Sequence, residues 1–130
     1  MRFSGFKVLA GQPSSKQSGD AAEDIALRHL QQAGLRLLVR NYRTPGRGGG
    51  EIDLVMRDTD GTTVFVEVRA RRGVGHGGAA ASVGGAKRRR IVFAARHYLA
   101  RSAAASPCRF DVVAFDAGEL SWLQAAFDAG

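Results

Sequence analysis

Residues 51–70, EIDLVMRDTDGTTVFVEVRA, set two alternating apolar segments on either side of a short turn, and no other stretch constrains the fold as strongly. Residues 51–57 and 63–70 each repeat with period two, which predicts two strands of a hairpin. On this reading Ile52, Leu54 and Met56 share a face with Val64, Val66, Val68 and Ala70, while Glu51, Asp53, Glu67 and Arg69 point the other way. For the apolar faces to coincide, paired residue numbers must sum to an even value. Pairing Asp58 with Thr62 leaves Thr59-Asp60-Gly61 as a three-residue loop, with Gly61 in its left-handed position. That register sets Asp53 opposite Glu67, with β-carbons about 5 Å apart, near enough for two carboxylates to share a cation. A slip by two residues would instead oppose Glu51 to Glu67 or Asp53 to Arg69, and every choice keeps acidic and basic groups on one face.

Around the hairpin the pattern is that of one domain spanning 20–123, with a flexible segment at 1–19 and a tail at 124–130. At 130 residues and 13.8 kDa the chain suits a single core. Ala22, Ile25, Ala26, Leu30 and Ala33 recur at helical spacing from Asp20 to Ala33, with Asp20 and Glu23 resembling a capping box and Gly34 as the stop. Residues 35–42, LRLLVRNY, read as a strand. The run TPGRGGG at 44–50 reads as a mobile loop because consecutive glycines cost backbone entropy. Residues 72–85 hold no element-length pattern and read as a long flap-like loop. Helical spacing returns from Lys87 to about residue 101 through Ile91, Val92, Ala95 and Leu99. Its first turn carries Lys87, Arg88, Arg89 and Arg90, unfavourable to the helix dipole unless an anion offsets them. Residues 109–115, RFDVVAF, read as a strand, 116–118 as a turn, and the final LQAAFDAG as a short helix or a frayed end. The fold class expected is α/β, a central mixed sheet of four or five strands flanked by two helices.

The net charge is +7 and the pI about 10.7, carried mostly by arginine, whose planar guanidinium favours bidentate phosphate contacts. Nucleic acid is therefore the first partner to consider, with Arg71, Arg72, Lys87 and Arg88 as candidate backbone contacts. The single cysteine, Cys108, excludes an intrachain disulfide framework and a cysteine-cluster zinc site; it reads as a small buried residue of a protein in a reducing compartment. With no run of about eighteen apolar residues and no apolar leader, neither a membrane span nor a signal peptide is expected, and a cytoplasmic location is the default. The glycines at 46 and 48–50 lack the Lys-Ser/Thr ending and strand-to-helix context of a nucleotide-binding loop. His29, His76 and His97 have no metal-ligand spacing. Apolar strand edges and a glycine-rich loop leave a homodimer open.

Two acidic side chains converging on one side repel when both are ionised, a cost that a bound cation removes. Magnesium, or manganese in its place, takes oxygen ligands and keeps several waters, leaving room for a phosphate oxygen and an attacking water. Asp53 and Glu67 are the candidate ligands and the Val68 carbonyl a third. Arg69, on the same side as Glu67, is placed to neutralise phosphate charge, though it is too basic to be a general base. The alternative is a solvated edge hairpin whose acidic and basic residues form weak cross-strand ion pairs.

Glu23-Asp24 with Ala26 and Leu30, Arg40-Asn41, the run GEIDLV at 50–55, FVEVR at 65–69 with Arg71, Lys87-Arg88, and RFDVV at 109–113 together resemble the YraN-like family of small, largely uncharacterised bacterial proteins. The likeness covers about residues 19–115. That family is similar in turn to the restriction-endonuclease-like superfamily, including Holliday-junction resolvases, whose motif is Asp followed later by Glu, any residue and Lys. The resemblance implies a restriction-endonuclease-like core. It also implies Asp53 and Glu67 as metal carboxylates, Glu23 as an additional acidic residue of the active site, and Arg69 where lysine is usual. The activity so implied is metal-dependent phosphodiester hydrolysis on structured or branched DNA, with RNA not excluded. Two other readings stand beside it: a nucleic-acid-binding protein without turnover on a nuclease scaffold, and a basic protein-interaction adaptor.

Overall fold

The computed structural model describes residues 15–71, 82–102 and 106–129, with side chains described from residue 19 onward except that of 71. Its elements run α1 (Ser15–Gln32), β1 (Arg36–Arg43), β2 (Glu51–Arg57), β3 (Thr63–Arg71), α2 (Gly85–Ala100), β4 (Cys108–Asp116) and β5 (Glu119–Phe127). The five strands form one mixed sheet in sequence order, β1-β2-β3-β4-β5. All neighbours are antiparallel except β3 and β4, whose parallel pairing is bridged by α2. Among the described residues no helix is long and apolar enough to cross a membrane.

Each face of the sheet has its own core. Ala22, Ile25, Ala26 and Leu30 of α1 pack on Leu54, Met56, Val64, Val66, Val113 and Phe115. On the other face Ile91, Val92, Ala94 and Ala95 of α2 pack on Val55, Phe65, Phe110, Val112 and Ala114. The central strands are therefore buried on both sides, as their near-continuous apolar runs require, and the hairpin has no wholly solvated face. Fully burying each such large aliphatic side chain contributes about 1.5–3 kcal/mol relative to exposure.

Several boundaries differ from the sequence reading for local reasons. Helix α1 starts at Ser15, so Asp20 and Glu23 lie inside it and cannot form a capping box; residues 1–14 lie outside the described chain. Its stop is as expected: Gly34 has φ +102°, and the Leu35 amide bonds back to the Leu30 carbonyl at 3.0 Å. The loop at 44–50 is pinned. Thr44 Oγ1 accepts the Gly50 amide at 2.8 Å and the Thr44 amide reaches the Gly50 carbonyl at 3.0 Å, which joins the two ends of the glycine run. Residues 124–127 belong to β5, where the sequence suggests a helix or fraying. Trp122 and Leu123 pack on opposite faces, and Ala125, at φ +52°, adds a bulge that disrupts the alternation. Cys108, opening β4, is exposed rather than buried. The expected flap at 72–85 falls largely on residues 72–81, outside the described chain.

Candidate active site

The β2–β3 ladder has the predicted register, from Arg57↔Thr63 to Leu54↔Val66, closed by Gly61 at φ +90°. Its rungs stop short of Asp53. There the Asp53 Oδ2 accepts the Val68 amide N–H at 2.8 Å, so a side chain takes the place of a backbone partner. Alternation also breaks at this point: Leu54 belongs to the core under α1, but Ile52 belongs to the core under α2. The shared face expected for Ile52, Leu54 and Met56 therefore fails at Ile52, and Asp53 sits at the change of side. Val68, whose carbonyl is the third candidate ligand, also donates its amide to Asp53.

Glu67 lies on β3 opposite Val112 of β4, and its side chain is 4% exposed. Its carboxyl is pushed up to about 8, first by burial and then by the Asp53 carboxylate, which repels its charge and favours its protonated form through a hydrogen bond. Two cations pull the other way without prevailing. Lys87 Nζ stands 3.6 Å and Arg69 Nη1 3.9 Å from Glu67 Oε2, ion-pair rather than hydrogen-bond separations. Lys87 is in the first turn of α2, so this basic, acid-free helix start sets its ammonium toward Glu67.

Glu23 comes from α1 with a 13%-exposed side chain, and its carboxyl is raised by burial and then by the charge of Asp53. Arg40 holds it back: its Nε lies 3.3 Å from Glu23 Oε1 and its Nη1 2.8 Å from Asp24 Oδ1. The sequence pattern assigns Arg40 no role: it enters only through the family resemblance, as one of three arginines in β1. Among the described residues no three His, Cys, Asp or Glu side chains gather as a metal cage. The fitting arrangement is thus two carboxylates, Asp53 and Glu67, with Glu23 near enough to feel the charge of Asp53, which suits a magnesium-type ion that keeps much of its water.

The other expected contacts separate. Arg88 donates to the Val83 carbonyl at 2.8 Å and lies 5.0 Å over the Phe127 ring, so its guanidinium is engaged within the fold. The side chain of Arg71, all of Arg72 and His76 lie outside the described residues. His29 packs edge-on to Trp122, and His97 shares a hydrogen bond of 2.5 Å with Tyr42.

Fold and site together define a small α/β protein with a mixed five-stranded sheet and a pair of acidic residues flanked by cations at the start of a basic helix. Residues 22–115 match the family described as Uncharacterised protein family UPF0102, and the chain belongs to that family. It is similar to a UPF0102 protein of Albidiferax ferrireducens, at 72% identity covering 89% of this chain and 91% of that one. It is also similar to UPF0102 proteins of Paracidovorax citrulli, at 66% identity over 93% and 90% of the two chains, and of Acidovorax sp. strain JS42, at 58% over 99% of each.

Proposed function

We propose that the protein is a metal-dependent phosphodiesterase acting on nucleic acid, with magnesium or manganese as its ion and structured or branched DNA as its substrate. The observation carrying this reading is the buried Glu67 carboxyl beside Asp53, with Lys87 and Arg69 within 4 Å of it. Asp53, one oxygen fixed by the Val68 amide, and Glu67 would hold the ion, which would supply Lewis acidity toward a phosphate oxygen. Lys87 and Arg69 stabilise the negative charge that develops on the phosphate. Lys87 also answers the departure at Arg69: an ammonium reaches Glu67 from α2 instead of from β3. Glu23, restrained by Arg40, orients water beside Asp53. The preference for branched DNA comes from the resemblance to resolvases, and the charge of +7 supports polyanion binding of either DNA or RNA.

The test is hydrolysis of four-way, flapped and linear DNA, and of RNA, by purified protein titrated with magnesium or manganese. Cleavage should appear with metal and vanish in Asp53→Asn with the fold intact; equal cleavage by that variant would reject the assignment. Arg69, standing where the resemblance puts lysine, favours, as the second reading, binding without turnover. Metal-independent DNA binding with no cleavage by wild type or by Arg69→Lys would select it.

A further inference from the structure

Helix α2 carries Arg90, Phe93, His97 and Arg101 along one side, the last as its C-cap. At 3.6 residues per turn these positions fall within an arc of roughly 80°. Arg90 lines a hollow of about 540 Å³ with Arg43 and the glycine loop, and Arg43 also lines an adjoining hollow of about 340 Å³ with Tyr42, His97 and Arg101. The wall is built in advance. A β-carbon at Gly50 would fall 1.9 Å from the Arg90 carbonyl oxygen, so glycine is needed for loop and helix to meet, and Thr44 pins the loop ends. Among the described residues three arginines face the two hollows against the one acid Glu51, which pairs with Arg43 at 3.2 Å. Beside this cationic strip Phe93 is 53% exposed, the large hydrophobic side chain that the described surface leaves open to water.

Cations spaced along a helix with an exposed ring among them match a chain that presents phosphates and free base faces. A duplex keeps its bases stacked, and acidic side chains offer the ring no aromatic face. We propose that this side of α2 and the glycine loop bind single-stranded nucleic acid, with Arg43, Arg90 and Arg101 on phosphates and Phe93 stacked on a base. Lys87 lies one turn before Arg90, so the strand leads away from the Asp53–Glu67 pair along about 20 Å of helix. Nucleic acid as the partner is taken from the proposed function, and the strip specifies which form and which path.

The experiment is fluorescence anisotropy on the full chain in EDTA, where hydrolysis cannot interfere. The probes are a single-stranded oligodeoxynucleotide, an abasic strand of equal length and a duplex. Wild type should prefer the oligonucleotide over both others. Phe93→Ala should weaken oligonucleotide binding about tenfold while leaving the abasic strand unaffected, in keeping with roughly 1–3 kcal/mol per stacked base. Arg90→Ala and Arg101→Ala should weaken both single strands and flatten the salt dependence. Equal effects of Phe93→Ala on both strands, no effect on either, tighter duplex binding, or polyglutamate competing as well as the oligonucleotide would overturn the strip. This pattern without metal-dependent cleavage would retain the strip and remove the hydrolase; cleavage indifferent to Phe93 would do the reverse.

Discussion

Asp111 and Glu67 are both buried carboxylates, one rung apart in the β3–β4 ladder, where Asp111 faces Val66 and Val112 faces Glu67. They differ in how their charge is met. Asp111 receives Arg109 Nε at 3.0 and 3.2 Å, Trp122 Nε1 at 3.0 Å and the Ala125 amide at 2.9 Å, and Arg109 goes on to Asp58 at 2.8 Å. Its oxygens are occupied by donors that fix the β5 bulge. Among the described residues Glu67 has another carboxylate as neighbour and two cations at longer range, so within that set its ionised form is short of donors. Burial alone therefore does not mark a functional acid. The unmet demand for positive charge does, because a ligand can supply it.

The largest expected difference is in stability. Asp111→Ala should cost about 3–5 kcal/mol in denaturant unfolding, since it strands the partly buried Arg109 and the Trp122 and Ala125 donors. Glu67→Gln should stay within about 1 kcal/mol of wild type at neutral pH, because the replaced carboxyl is already largely protonated. Comparable losses from the two would break the contrast.

Next comes pH. The folded Glu67 carboxyl titrates near 8 and the unfolded one near 4.5, so between these values the folded state holds more protons. Metal-free stability attributable to Glu67 is full below about 4.5 and is lost as pH rises toward about 8, by up to about 1.4 kcal/mol per pH unit. Chemical denaturation across this window should show the slope in wild type, and Glu67→Gln should remove it.

Smaller changes sharpen the picture. Trp122→Phe withdraws one donor from Asp111 and should cost about 1–2 kcal/mol. Lys87→Met removes a half-exposed cation and should shift unfolding by less than about 1 kcal/mol, yet it should move the Glu67 titration upward, readable by carboxyl NMR.

The hairpin was legible in the sequence because period-two alternation and a Thr-Asp-Gly turn fix register without long-range information. That register points Asp53 toward Glu67 although the paired rungs end at Leu54 and Val66, and Gly34 marks the stop of α1. What alternation could not reveal was where it breaks. The change of side at Asp53 and the bulge at Ala125 go with side chains replacing backbone partners, as Asp53 does at Val68 and Asp111 at Ala125. Lys87 was visible as a basic residue but not as a neighbour of Glu67, since only the crossover of α2 between β3 and β4 brings them to 3.6 Å. Arg40 is the same case across β1 and α1.

The central claim is that Asp53 and Glu67 form one divalent-cation site. Manganese titration calorimetry at neutral pH, repeated in buffers of different ionisation enthalpy, tests it most directly. Binding to wild type should release a proton as Glu67 gives up its hydrogen to take the ion, and Asp53→Asn and Glu67→Gln should each abolish that binding. Manganese uptake that is unchanged in both variants, or no uptake by wild type at millimolar ion, would contradict it.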